Sequence, residues 1–252
     1  MKFRHLFATV LAALTLAAAG AFAMDLEELV GKAIDAQGGA AAFKAIQSQK
    51  ASGKVLSHGM EMPITLLTAR PNLMRVEVTV MGMSMVNAFD GTTGWSINPM
   101  TGSQDPQPMG ELEMKNARLQ ADMDGPLQNW EARGWVGEYL GEEEVEGTAA
   151  HRLRIDTKQD LVLEMWLDAE TFLPLKQNAK VKFEQQEIES QMYFSDYRTQ
   201  DGLVIPFSLE ARQGDQVMMN MVFDSIEFGV PVDPALFVMP AKAAAPAAPT
   251  GN

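Results

Sequence analysis

The chain has 252 residues, no cysteine, and 33 Asp and Glu against 20 Lys and Arg, for a net charge of −13. This composition excludes a scaffold held by disulfides. It also argues against binding nucleic acid or anionic membrane surfaces, because both depend on clustered Lys and Arg.

The first residues read as an export signal. Lys2, Arg4 and His5 make a basic start, residues 6–19 an apolar run, and Ala21-Phe22-Ala23 a small-residue cleavage site. The run is shorter than the roughly 20 residues of a membrane span. Cleavage after Ala23 leaves 229 residues starting at Met24, with 18 Lys and Arg against 33 acids and a net charge of −15. No cysteine follows the run, so a lipid anchor at the new N-terminus is not expected. The expectation is a protein free in the periplasm, with one domain over residues 24–240. The Ala/Pro-rich tail, residues 241–252, is expected to hold no fixed structure.

A helix opens the mature chain. Asp25 is placed to cap it, with Glu28 as reciprocal partner, and Leu26, Leu29, Val30, Ala33 and Ile34 recur at helical spacing up to Gly38-Gly39. A shorter helical stretch, Ala40 to Gln47, presents Phe43 and Ile46. From Gln49 the period changes to two. Met62, Ile64 and Leu66 alternate with Pro63 and Thr65, and Met74, Val76, Val78 and Val80 with Arg75, Glu77 and Thr79. Met83, Met85 and Phe89 follow, then Trp95 and Ile97 beyond the Asp90-Gly91 turn. Residues 106–130 break this rhythm with a helix from Gly110 to Ala121, ended by Asp124-Gly125-Pro126. Strands resume over 136–140, 151–157, 161–168, 175–183, 188–197, 204–211 and 216–227. Ten or eleven strands with one apolar face form an antiparallel meander, and so many require a strongly curved sheet.

Catalytic signals are weak. There is no Gly-x-Ser-x-Gly elbow, and only His58 and His151 remain after processing. His151 is expected at the surface beside Arg152. The run Glu142-Glu143-Glu144 with Glu146 reads as a solvated acidic turn. Asp122-x-Asp124-Gly125 opens like a calcium loop, but its glycine comes too early and the bidentate acid is missing. No enzymatic activity and no cofactor are expected.

The eighteen methionines carry more information. Met60/Met62, Met81/Met83/Met85 and Met219/Met221 fall two apart, so on a strand each set shares a face. Three readings stand. Met can be ordinary filler in an irregular core. It can line a cavity for a lipid chain, where flexible thioethers adapt to a mobile hydrocarbon. Or the sulfurs can bind Cu(I), with His58, Met60, Met62, Met81, Met83 and Met85 as candidate ligands.

Three strings bring a resemblance. Ala69-Arg70-Pro71-Asn72-Leu73-Met74, Asp90-Gly91-Thr92-Thr93-Gly94-Trp95-Ser96-Ile97-Asn98-Pro99 and Pro234-Ala235-Leu236-Phe237-Val238-Met239-Pro240 resemble, in order and rough spacing, the best-preserved stretches of the LolA/LolB-like lipoprotein carriers. Gly38-Gly39, Tyr139-Leu140-Gly141, Val145-Glu146-Gly147 and Ser195-Asp196-Tyr197-Arg198 resemble the wider group of outer-membrane lipoprotein-sorting proteins. Gly94 and Ile97 depart from the larger residues of the carriers' Trp loop.

The resemblance implies a mainly β (α+β) fold, an unclosed antiparallel half-barrel with helices over its concave face and acyl chains held between the two layers. The expected lining is Met62, Ile64, Leu66, Met74, Val76, Val78, Met83, Met85, Phe89, Trp95, Met165, Met192, Met219 and Met221. The helical interruption near residues 108–130 is the expected lid. Arg70 is its expected latch, or else an arginine that merely caps carbonyls at a strand end. The implied partners are lipid or lipoprotein acyl chains, an inner-membrane exporter and an outer-membrane acceptor, with the chain itself a monomer. A non-carrying adaptor that uses its sheet for protein contacts is the remaining alternative.

Overall fold

The computed structural model describes residues 24–158, 161–183 and 186–241. The expected export signal, and the tail beyond its first residue, fall outside these. Helix α1 (Leu26–Ala36) buries Leu29, Val30 and Ala33, the stripe its spacing predicts. Asp25 precedes it but makes no side-chain cap, and Glu28 instead pairs with Lys32 at 2.8 Å, one turn on. Helix α2 (Ala40–Ala45) is shorter than expected, because Ile46 is already extended.

All the strands form one antiparallel sheet. They are β1 (Ser48–Ser57), β2 (Met60–Ala69), β3 (Leu73–Val80), β4 (Met83–Phe89), β5 (Gly94–Ile97), β6 (Gln107–Pro108), β7 (Val136–Val145), β8 (Thr148–Asp156), β9 (Leu161–Asp168), β10 (Pro174–Phe183), β11 (Gln186–Gln200), β12 (Leu203–Gln213) and β13 (Gln216–Phe228). Their spatial order is β6-β5-β4-β3-β2-β1-β13-β12-β11-β10-β9-β8-β7. The chain therefore runs outward from β1 to one free edge, crosses over, and meanders back from the other edge until β13 closes on β1. Helix α3 (Glu111–Ala121) and the segment after it make that crossing. This connection joins the two edge strands of the unclosed sheet and lays α3 on its inner face.

Among the described residues there are thirteen strands, more than the ten or eleven expected. β1 is polar at most positions, with inward residues Ala51 and Val55, and β6 has only two residues. Curvature has an identifiable source at the β1–β13 seam, where the register shifts between Ser52 and Gly53. A Cβ on Gly53 would lie 2.1 Å from the Val222 carbonyl oxygen, so the bulge requires glycine.

Register assigns the faces, because directly paired residues point the same way. Ile64, Val78 and Met85 form one cross-strand row, and Leu66 and Val76 lie in the next. Leu209, Met221, Val55 and Met62 form another, from β12 to β2. Helix α1 packs on the same face at the far side, over Leu153, Ile155, Leu163, Met165 and Leu167. Helix α3 packs Ala117 and Ala121 against Met74 and Phe89. The architecture is a curved, unclosed antiparallel half-barrel with its helices on the inner face.

Candidate functional site

The inner face is an apolar trough, closed at one end. Thirteen of the fourteen expected lining residues share it: Met62, Ile64, Leu66, Met74, Val76, Val78, Met83, Met85, Phe89, Met165, Met192, Met219 and Met221. Trp95 is the exception. The Asp90–Thr93 turn sets Phe89 opposite Gly94, so Trp95 pairs with Ala88 and takes the outer face. There it packs with Val86 and Ala88, and its Nε1 donates to the Phe237 carbonyl at 2.7 Å. Arg75, also facing outward, donates to the Leu236 carbonyl at 3.1 Å. The Trp string and the Phe237 string thus meet outside the trough, and their combined work is to fasten the C-terminal segment to the back of the sheet.

Gly94 occupies the inner position opposite Phe89. A Cβ there would come within 2.4 Å of the Met109 sulfur and 2.8 Å of the Met114 sulfur. The missing side chain leaves room for Met109, just before α3, and for Met114 on it.

The segment after α3 is held by a four-residue charge network. Arg70 Nη2 donates to Asp124 Oδ1 at 2.6 Å and to the Phe43 carbonyl at 3.1 Å, while its Nε donates to the Ile46 carbonyl at 2.9 Å. One guanidinium therefore ties the end of β2 and the end of α2 to the segment that follows α3. Arg133 takes Asp122 in a two-pronged contact through both of its outer nitrogens and stacks over Trp135 at 4.7 Å. Hydrogen bonding to Asp122 raises the Arg133 pKa above its ordinary value, against the pull of burial. Asp122, Asp124 and Arg133 were not among the expected site residues. The Asp-x-Asp-Gly string was the available cue, and its carboxylates are engaged by arginines.

Two cavities border the segment after α3. One, of about 150 Å³, sits among α1, α2, the 122–128 segment and Met165; the other, of about 30 Å³, adjoins it across Phe43 and Met123. Both fall well short of the roughly 300–1,000 Å³ of a site that encloses a drug-sized ligand. The single continuous hollow expected from the sequence is therefore divided here into a covered end with two small cavities and an open trough. Along the open length Met62, Met83, Met85 and Met221 are half-buried, and Met60 and Met219 are exposed at 43% and 39%.

Three further placements bear on the sequence reading. His151 is buried rather than at the surface, stacked on Phe172 at 5.8 Å with Nδ1 3.1 Å from the Tyr139 hydroxyl. The Glu142–Glu144 run is the end of edge strand β7 rather than a turn, and Glu143 engages Arg152 and Trp166. The candidate copper ligands do not share one spot. Met60 and Met62 are on β2 and Met83 and Met85 on β4, with β3 between them; Met81 is exposed in the β3–β4 turn, and His58 bonds Ser57.

Similar architecture occurs in solved structures. A LolA superfamily protein from Nitrosomonas europaea matches with a TM-score of 0.56 at 11% identity, over 86% of this chain and 98% of that one. A DUF1329 family protein from Desulfovibrio piger matches at 0.55 and 12% identity, over 83% and 95%. A putative outer membrane lipoprotein-sorting protein domain from Vibrio parahaemolyticus matches at 0.52 and 11% identity, over 84% and 95%. The fold is LolA-like. No protein-family model and no curated protein matches the sequence. In this LolA-like chain no helix among the described residues is long and apolar enough to cross a membrane. The three strings recognised in the sequence lie close together in this LolA-like frame: Met74 pairs with Phe89 just before the Asp90 turn, and Trp95 bonds the Phe237 carbonyl.

Proposed function

We propose that this chain is a periplasmic carrier that takes up the acyl chains of a lipid or lipoprotein in the trough and moves them toward the outer membrane. The observation that carries this reading is the register. Thirteen of the expected lining residues fall on one face of an unclosed sheet, and Met62, Met83, Met85, Met219 and Met221 among them stay half-buried or exposed where a folded core would cover them. An apolar surface left open to water is an interaction site by default, and a narrow trough lined by flexible thioethers fits hydrocarbon. Burying one methylene is worth about 0.8 kcal/mol, so a long chain gains on the order of 10 kcal/mol. That gain is enough to compete with a membrane, yet small enough to allow release.

Arg70 acts as the latch in this reading, and opening the lid joins the small cavities to the trough. An inner-membrane exporter as donor and an outer-membrane acceptor complete the cycle, with the carrier monomeric between them. The test is direct. Protein purified from its native host carries detergent-removable acyl chains in its mass spectrum, and the stripped protein binds a fluorescent fatty acid. Empty protein that also ignores the probe rejects the carrier reading.

A further inference from the structure

The alternation of the strands sets the methionines of the trough in rows across the sheet. Met192 faces Ala211, which faces Met219. On the next two strands Ser57 and Met60 continue this row, one residue beyond the Leu56–Asn220 pair. The following row carries Met221 and Met62 on either side of Val55. Both rows lie toward the β1–β2 and β12–β13 turns, at the opposite end of β2 from Arg70. Exposure is graded along the same direction. Met60 and Met219 are 43% and 39% exposed, and Met62 and Met221 are half-buried. Met74, packed against α3, and Met165, packed with α1, are 2% and 3% exposed. The outermost row has one hydroxyl, that of Ser57, and it donates to the Met218 carbonyl at 2.8 Å. Oxidisable sulfur is thus most accessible where hydrocarbon would enter, in a row whose hydroxyl proton is already engaged.

We propose that Met60 and Met219 are modification sites, whose oxidation to sulfoxide by a dissolved peroxide turns off loading of the trough. The inference rests on the carrier reading and adds its regulation. One oxygen atom of hydrogen peroxide passes to the thioether sulfur and the O–O bond breaks. The remaining oxygen leaves with both protons as water. The sulfur is oxidised, the peroxide is reduced, and no bond of the protein is cut. Each product side chain carries a polar S–O acceptor in place of an apolar thioether, and the change is reversible by reduction. An acyl chain laid over that acceptor strips it of water and offers no donor in return, which is costly. Ser57 cannot compensate while its proton is held by the Met218 carbonyl. Met74 and Met165 are shielded by the helices, so the fold survives a dose that changes the entrance.

The experiment treats the purified protein with graded hydrogen peroxide and maps each methionine by peptide mass spectrometry. Affinity for a fluorescent fatty acid and thermal unfolding are measured at every step. Met81 and Met100, 78% and 54% exposed and outside the lining, are expected to oxidise without effect on binding. Affinity falls by about tenfold or more in step with oxidation of Met60 and Met219, before Met74 and Met165 react and with the unfolding transition kept. Methionine sulfoxide reductases of both stereospecificities, driven by a thiol, restore it. The double variant Met60→Leu, Met219→Leu is compared with its own untreated form, and the same dose leaves its affinity within about twofold. Three results overturn the proposal: undiminished affinity after both sites are oxidised, a loss that appears only with unfolding, or an equal loss in the variant. The wild-type series decides by itself if the variant does not fold. Untreated protein that ignores the probe rejects the carrier reading and this inference with it, whereas binding that oxidation leaves unchanged rejects the inference alone.

Discussion

The two ends of the inner face are built by the same alternation and differ in what covers them. Under α1, Leu153, Ile155, Leu163 and Leu167 are at most 1% exposed, packed as a conventional core. Across β2, β4 and β13 six methionines face the same way, all half-buried or exposed, beside the buried Ile64, Phe223 and Ile226. Leu and Ile dominate the covered end, and thioethers join the branched side chains where the face is open. Interdigitated Leu and Ile hold one arrangement, whereas Met fills whatever shape its neighbours leave. A face that must part from its contents is better built from the second kind.

The sharpest way to break this contrast is to truncate one residue at each end. Leu163→Ala removes a fully buried side chain beneath α1 and should cost about 2–5 kcal/mol. Met221→Ala removes a half-buried one beside Val55 and should cost clearly less, because part of its surface already meets water. Urea denaturation of both variants measures the difference. Equal losses would mean that the open end is packed like the closed one.

The next largest effect is expected at the latch. Arg70→Ala deletes three hydrogen bonds, one of them the ion pair with Asp124. The two side chains are about a fifth exposed (22% and 21%), so solvent weakens the pairing, and a loss of about 1–3 kcal/mol is expected. The decisive signature is local. Amide exchange should accelerate in residues 122–128, and uptake of a fluorescent fatty acid should speed up, while the β8–β9 core stays protected.

How much of this was legible depends on how local the cause is. The alternation in Met74–Val80 and the Met pairs gave the inner face, because side-chain direction along a strand follows from period two alone. Strand β1 was less legible, since its inward positions are mostly small or polar and its place is set by pairing with β2 and β13. Trp95 was placed on the wrong side although the information was present: an even-numbered turn after Phe89 puts Gly94, not Trp95, opposite it. His151 was illegible, because its stacking partner Phe172 lies in a loop that only the folded hairpin brings near. Asp122, Asp124 and Arg133 form a site only once the lid crosses the mouth.

A smaller effect separates the lid's seat from its latch. Gly94→Ala places a methyl against the sulfurs of Met109 and Met114, both flexible ends that can yield. A cost of about 1 kcal/mol is expected, equivalent to roughly 2–4 °C in Tm for a domain of this size. Shortening the obstacle should restore the loss, so Gly94→Ala with Met109→Ala ought to be less destabilised than the two changes summed. A double-mutant cycle by thermal unfolding measures that coupling, and simple additivity would show that the lid does not rest on Gly94.

The smallest effect tests what the methionines are for. Met62, Met83 and Met85 changed together to Leu keep volume and hydrophobicity, so stability should move by less than about 1.5 kcal/mol. If the thioethers serve by flexibility, the chain-binding surface survives with less adaptability: affinity for one well-fitting fatty acid is retained, while the spread of affinities across chain lengths widens. If instead the sulfurs hold Cu(I), titration under reducing conditions finds tight binding in the wild type and none in the variant. Placement on β2 and β4, with β3 between and strands about 4.8 Å apart, argues for the first outcome. Sulfurs gathered for one metal ion would be expected on adjacent strands, whereas a lining that must follow a moving chain gains from being spread along the whole length of the trough.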